Sequence, residues 1–104
     1  RAVGHWQSAI AIDGLHSELS VEGDGTGTAD LIQVLKDVKN ATYKVRYEFT
    51  WNELPNYEYQ ISLTCIDVNC PAEAKKPIPL TCTAPGEDEL TCQVMPAPLV
   101  FLRQ

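Results

Sequence analysis

The residues with the clearest binding chemistry are aromatic, and most of them lie in one stretch of the chain. Residues 42–52 alternate polar and apolar side chains at every step, and residues 57–65 do the same. Because side chains alternate between the two faces of a strand, the aromatic ones are predicted to share one covered face of a sheet. Such a face could line a cup for an apolar or planar ligand. The candidate ligand-binding residues are Tyr43, Tyr47, Phe49, Trp51, Tyr57 and Tyr59. The competing interpretation is that these side chains simply fill a small barrel, with Trp51 and its neighbours as ordinary core.

The remaining reactive residue types give little support for catalysis or metal binding. Both histidines, His5 and His16, are far in sequence from the cysteines, and they are expected to lie apart from each other or on the outer face, so no acid–base pair is predicted. The cysteines are separated by four, eleven and nine residues, which does not match the two-residue spacing typical of zinc sites. We therefore expect a protein that is not an enzyme and that uses no metal and no cofactor.

The four cysteines instead predict two disulfide bonds. All four lie within the last 40 residues of a 104-residue chain, which is typical of a secreted, periplasmic or other extracellular protein. A hairpin that turns at Glu87 would place Cys82 directly opposite Cys92, leaving Cys65 to bond Cys70. Two other pairings remain open by spacing alone: Cys65 with Cys82 and Cys70 with Cys92, or Cys65 with Cys92 and Cys70 with Cys82.

The charge balance narrows the range of partners. The net charge is −6, and lysine and arginine together number eight, which disfavours a nucleic-acid partner and an anionic membrane surface. No apolar run approaches the roughly 20 residues of a membrane span, so membrane insertion is not expected. The expected partner is a small apolar ligand or another protein.

The secondary structure predicted to hold these residues consists of β-strands throughout. Period-two alternation breaks at turn sequences such as Asp13-Gly14 and residues 22–25, 53–56 and 85–88, which divides the chain into eight strands. One all-β domain over residues 1–104 is predicted. Short sequential connections favour an antiparallel up-and-down barrel, and a Greek-key β-sandwich is the alternative. The irregular connections at residues 36–41, 69–77 and 95–98 are expected at one end of this barrel.

The two ends of the chain carry a family resemblance. Gly4-His5-Trp6 opens the first strand and Arg103 closes the last, which resembles the lipocalin and wider calycin pattern. The resemblance implies that Trp6 and Arg103 stack to seal one end of the barrel. In length and disulfide use, the chain is most similar to the compact bacterial inhibitors of secreted metalloproteases.

Together these observations predict a secreted, non-catalytic binding protein that holds a small hydrophobic or aromatic ligand in a calycin-like barrel. The alternative prediction is a protein-binding module or protease inhibitor that acts through the loops at one end of a solid barrel.

Overall fold

A computed structural model of the chain describes residues 2–9, 15–34, 41–68, 70–93 and 98–104. Eight strands account for most of these residues, and two short 3-10 helices occupy Pro55–Tyr57 and Ala72–Lys75. The strands are β1 (Gly4–Ser8), β2 (Leu15–Val21), β3 (Thr26–Val34), β4 (Thr42–Leu54), β5 (Glu58–Cys65), β6 (Ile78–Thr83), β7 (Glu89–Cys92) and β8 (Leu99–Arg103). The predicted Asp13-Gly14 turn, and most of the predicted connections at 36–41 and 95–98, lie outside the described residues.

The strands form a closed barrel in which each strand pairs antiparallel with the next. The circle closes between β1 and β8, where Trp6 lies opposite Arg103. This confirms the predicted up-and-down barrel and excludes the Greek-key sandwich. Closure gives the backbone N–H and C=O groups of the terminal strands a partner, so the sheet is left with no open edge.

Both disulfide bonds follow the first predicted pairing. Cys82 and Cys92 are directly opposite each other on β6 and β7, with their Cα atoms 4.0 Å apart. The second bond joins Cys65, at the end of β5, to Cys70 in the following connection. Two disulfides in a chain of this size are typical of an oxidising, non-cytoplasmic compartment. Neither of the helices in the described part of the chain is long and apolar enough to cross a membrane.

The two ends of the barrel differ, and we name them the closed end and the mouth. The closed end holds the first residues of β1, the last residues of β8, the β2–β3 hairpin, the Pro55–Tyr57 helix and the β6–β7 turn. The mouth is the opposite end, where β2, β4 and β6 begin and where residues 66–68 and 70–77 lie between β5 and β6. The described part of the predicted irregular connection at 69–77 is therefore at the mouth.

One glycine allows two strands to pack closely near the closed end. A Cβ atom on Gly27 of β3 would lie 2.6 Å from the carbonyl oxygen of Ser20 and would overlap the ring of Phe49. Phe49 lies opposite Gly27 on β4 and is buried, so its ring occupies the space that a side chain at position 27 would need. The close packing at this point of β3 therefore requires a residue without a side chain.

A candidate ligand cavity inside the barrel

The closed end is sealed by a tryptophan and an arginine. Trp6 is 1% exposed, and its indole N–H donates a hydrogen bond of 2.8 Å to the carbonyl oxygen of Ala2. The guanidinium carbon of Arg103 lies 4.3 Å from the centroid of the Trp6 ring, within cation–π range. Arg103 also donates from Nε to the carbonyl of Glu87 (2.6 Å) and from Nη1 to that of Val3 (2.7 Å). The arginine therefore ties the chain start, the last strand and the β6–β7 turn together over the indole.

A second aromatic pair fills the interior above this seal. Trp51 and Tyr59 make an edge-to-face contact with ring centroids 5.9 Å apart. The indole N–H of Trp51 donates to the carbonyls of Glu22 (3.0 Å) and Thr26 (3.2 Å), and the Tyr59 hydroxyl donates to Oε1 of Glu53 (2.6 Å). These polar atoms therefore have hydrogen-bond partners within the protein. The pair forms the floor of the interior. Only about 10 Å³ of free space remains beside it.

The half of the barrel toward the mouth is not filled. A cavity of about 200 Å³ lies there, lined by inward-facing side chains from β2 to β8. Three of the lining residues are aromatic: Tyr47, Phe49 and Phe101. The aliphatic lining consists of Leu19, Leu31, Ile61, Leu63, Ile78, Leu80, Leu99 and the methyl group of Ala29.

The cavity follows from strand register and side-chain size. Leu19, Ala29 and Tyr47 lie side by side on β2, β3 and β4, and all face inward. Ala29, the middle residue of the three, has only a methyl group as its side chain. Ser17, one inward position closer to the mouth on β2, is also small. The half of the barrel near the closed end contains both tryptophans and Tyr59, whereas the mouth half has the small side chains of Ala29 and Ser17 at inward positions. The barrel is therefore solid at one end and hollow at the other.

The six aromatic residues singled out from the sequence are not brought together. Tyr47 and Phe49 line the cavity, whereas Trp51 and Tyr59 lie in the floor below it. Tyr43 is the second residue of β4, at the mouth, and is 45% exposed.

Tyr57 does not belong to the strand on which it was placed. It is 46% exposed at the closed end, in the 3-10 helix that precedes β5. Asn56 and Tyr57 both have positive φ angles, 65° and 57°, so the extended alternation begins only at Glu58. The expectation that Tyr57 and Tyr59 share a strand face is therefore wrong.

Sequence reasoning did not single out the aliphatic wall or Ser17. The signal was present in β2, where Ser17 alternates in phase with Leu19 and Val21. Ser17 is 5% exposed and lines the cavity, and its backbone N–H donates to Oγ of Ser8 (2.9 Å). No charged side chain is among the described residues that line the cavity.

The strongest electrostatic contact is on the outer wall and does not reach the cavity. Arg46 on β4 binds Asp30 on β3 through two hydrogen bonds, Nε to Oδ1 (2.8 Å) and Nη2 to Oδ2 (2.9 Å), and Lys44 Nζ lies 3.5 Å from Oδ2. The hydrogen bonds from Arg46 hold the pKa of the Asp30 carboxyl below its ordinary value and raise that of the guanidinium. The described residues contain no cluster of three or more metal-ligating side chains.

Exposed apolar side chains surround the mouth. We call this group the apolar rim: Leu15, Tyr43, Ile66, Val68 and Ile78. Val68 is the extreme case, with 88% of its surface exposed. Ile78 belongs both to the rim and to the cavity wall, so the cavity reaches the mouth beside it.

The class that these features define is a disulfide-linked, closed eight-stranded up-and-down β-barrel with an apolar cavity in its mouth half. Comparisons with protein-family models, curated proteins and solved structures found no match. The calycin resemblance therefore stays a prediction that rests on Gly4, Trp6, Arg103 and the strand count.

Proposed function

We propose that this barrel is a secreted or periplasmic, non-catalytic binding protein that holds a small apolar molecule in the cavity of its mouth half. The observation that carries the proposal is the cavity of about 200 Å³ with an almost wholly apolar wall above a packed floor. Protein interiors are normally close-packed, and an apolar void loses the dispersion contacts that its lining would otherwise make. An apolar molecule of suitable size restores those contacts, whereas water gains few hydrogen bonds in such a site.

The cavity volume limits the size of the ligand. An apolar cavity of about 150 Å³ accepts a benzene ring, so a volume near 200 Å³ corresponds to roughly eight non-hydrogen atoms. At roughly 0.5–0.9 kcal/mol per atom, within the range seen for small ligands, the dissociation constant would be on the order of 10 µM to 1 mM. The binding is thus expected to be weak, selective for size and driven by the burial of apolar surface.

A pair of matched substitutions tests the proposal with ethylbenzene as the probe. Leu63→Trp adds bulk inside the cavity, whereas Leu102→Trp makes the same change on the outer surface near the closed end. Isothermal titration is expected to show saturable binding to the wild type and to Leu102→Trp, and a loss of roughly tenfold or more for Leu63→Trp. Thermal melts of all three proteins establish that each is folded. A wild type that does not bind, or a Leu63→Trp variant that binds as well as the wild type, would contradict the proposal.

The apolar rim favours a second candidate function, a protein-binding module or protease inhibitor that acts through the mouth. Exposed apolar side chains that cluster at one end of a small protein are typical of interaction sites. In this case Val68 is expected to be an anchor, because it is the most exposed member of the rim.

The second candidate is tested by protease inhibition. Val68→Asp is compared with Leu102→Asp, which places the same charge at an exposed apolar position near the closed end. If the protein inhibits a purified zinc metalloprotease or serine protease, Val68→Asp should weaken inhibition roughly tenfold or more and Leu102→Asp should not. If Val68→Asp and Leu102→Asp change inhibition equally, the apolar rim is not the interaction site.

A further inference from the structure

We infer that the mouth of the barrel docks on a phospholipid membrane surface with anionic headgroups, so that the apolar rim lies in the headgroup layer. The inference goes beyond the proposed function, because it names the surface that the mouth contacts rather than the molecule that the cavity holds. It concerns contact with one face of a bilayer and not a membrane span. The observation behind it is that the exposed apolar rim and the described lysines lie at one end of the barrel, whereas most of the described carboxylates lie at the other.

The apolar rim is built from four separate segments that meet at the mouth. Leu15 begins β2, Tyr43 lies near the start of β4, Ile66 and Val68 follow β5, and Ile78 begins β6. Val68 is 88% exposed, so an aliphatic side chain is left almost wholly in water. Burial of such side chains in the boundary between headgroups and acyl chains is favourable, and tyrosine is common at that depth.

The charged side chains are divided unequally between the two ends of the barrel. Within the described residues, the mouth has three lysines and two carboxylates, whereas the closed end has seven carboxylates and one arginine. A surface of anionic headgroups therefore attracts the mouth and repels the closed end, which orients the barrel with its mouth toward the lipid. The charged residues at the mouth are Lys44, Lys75, Lys76, Asp67 and Glu73, and those at the closed end are Glu22, Asp24, Glu53, Glu58, residues 87–89 and Arg103.

The net charge of −6 does not prevent this contact, because the acidic end is distant from the mouth. β5 runs from the closed end at Glu58 to the mouth at Cys65, and its eight residues at about 3.3 Å each span roughly 25 Å. The usual tilt of barrel strands reduces this to roughly 18–20 Å along the axis. Charges more than a Debye length away, about 8 Å at physiological ionic strength, are largely screened. The membrane therefore responds mainly to the charges around the mouth.

Two of the lysines lie directly beside a member of the rim. Lys75 and Lys76 are exposed and precede Ile78 by three and two residues. Lys44 is less available to headgroups, because its Nζ lies 3.5 Å from a carboxylate oxygen of Asp30. A lysine can keep its ammonium group among the headgroups while its hydrocarbon stem lies along an apolar surface. Lys75 and Lys76 are therefore the cations expected to contact anionic lipid.

The same contact would place the entrance of the cavity against lipid. Ile78 belongs both to the rim and to the cavity wall, so the cavity reaches the surface that docks. A small apolar molecule concentrates in the hydrocarbon of a bilayer, and from there it would enter the cavity without passing through bulk water. This continuity between rim and cavity favours a membrane over a protein as the partner of the rim.

Co-sedimentation with vesicles tests the inference. The vesicles consist of phosphatidylcholine alone or of equal parts phosphatidylcholine and phosphatidylglycerol, and the wild type is expected to bind the anionic ones more tightly. Val68→Asp should weaken that binding by roughly tenfold or more, because it removes an apolar contact and adds a negative charge. Leu102→Asp, the matched change at an exposed apolar position near the closed end, should bind like the wild type. Thermal melts establish that each variant is folded.

A second pair of variants separates the charge at the mouth from the net charge. Lys75→Gln combined with Lys76→Gln should weaken binding to anionic vesicles by roughly 5- to 25-fold, at about fivefold per lysine, and leave binding to phosphatidylcholine almost unchanged. Glu87→Gln combined with Asp88→Gln changes the net charge by the same amount in the opposite direction, but at the closed end. Binding of this variant should match the wild type.

Three results would overturn the inference. A wild type that sediments with neither kind of vesicle has no affinity for lipid. Equal weakening by Val68→Asp and Leu102→Asp, or a clear gain in binding for Glu87→Gln with Asp88→Gln, would show that the mouth is not the docking surface. A wild type that is dimeric without vesicles, and monomeric as Val68→Asp, would assign the rim to a second copy of the chain. The ethylbenzene titrations do not depend on these outcomes, so the proposed function is tested separately.

Discussion

Ala29→Leu gives the sharpest test of whether the mouth half of the barrel is hollow. Ala29 lies between Leu19 and Tyr47 in the cavity wall, so a larger side chain there would project into the free volume. The substitution adds three carbon atoms to a space of about 200 Å³. The sign of the change in the free energy of unfolding depends on whether that space exists.

The expected magnitude follows from apolar burial. Three buried carbon groups contribute up to about 2.4 kcal/mol at ~0.8 kcal/mol each, and ordering a leucine side chain opposes this by roughly 0.5–1 kcal/mol. The net stabilisation is therefore about 1.5–2 kcal/mol, or a rise in Tm of roughly 6–16 °C for a domain of this size. In a filled interior the same substitution would overpack the core and destabilise by about 1–3 kcal/mol.

The matched control is Ala84→Leu, the same substitution in the packed core. Ala84 is 2% exposed and belongs to the buried cluster, so its enlargement should destabilise by about 1–3 kcal/mol. Urea denaturation followed by tryptophan fluorescence measures the unfolding free energy of each variant, and ethylbenzene binding to Ala29→Leu should fall roughly tenfold or more. Equal destabilisation by the two variants would refute the argument that one half of the barrel is hollow.

Three further predictions concern the frame that holds the cavity. Gly27→Ala should destabilise by about 1–3 kcal/mol, because a Cβ atom there overlaps its neighbours, whereas Gly23→Ala, with no atom within 4 Å of the added Cβ, should be near neutral in the same urea denaturation. Replacing both Cys82 and Cys92 by alanine should lower the unfolding free energy by about 3 kcal/mol, the chain-entropy value for a loop of this length, and calorimetry that shows no loss of Tm would contradict it. Because the folded pKa of Asp30 is lowered, its ionised form stabilises the protein above the unfolded pKa, and this contribution disappears as pH falls through the folded pKa. The Tm difference between wild type and Asp30→Asn should thus shrink as pH is lowered from about 7 to about 3, and a constant difference would exclude that linkage.

The strand framework was predictable because it depends on local patterns. Alternation over residues 42–52 predicts β4, and a turn centred on Glu87 predicts that Cys82 lies opposite Cys92; the structure shows both. Closure of the barrel followed from short connections and the need to pair terminal strands. Tyr57 was misplaced because positive φ angles at Asn56 and Tyr57 interrupt a pattern that looks continuous in the sequence.

The cavity could not be predicted from the same patterns. The alternation of polar and apolar residues indicates which side chains point inward. The free volume, however, depends on which of these side chains meet across the barrel. Ala29 and Ser17 leave free space only because the side chains across the cavity from them are aliphatic. Both tryptophans lie nearer the closed end.

The binding of a small apolar molecule in the mouth half of the barrel is tested most directly by a methyl NMR titration with ethylbenzene. We expect little change at Val21 and Leu90 beside the packed floor, and saturable shifts for the leucine methyl groups of the cavity wall: Leu19, Leu31, Leu63, Leu80 and Leu99. The absence of saturable shifts, or shifts of equal size in both halves of the barrel, would contradict it.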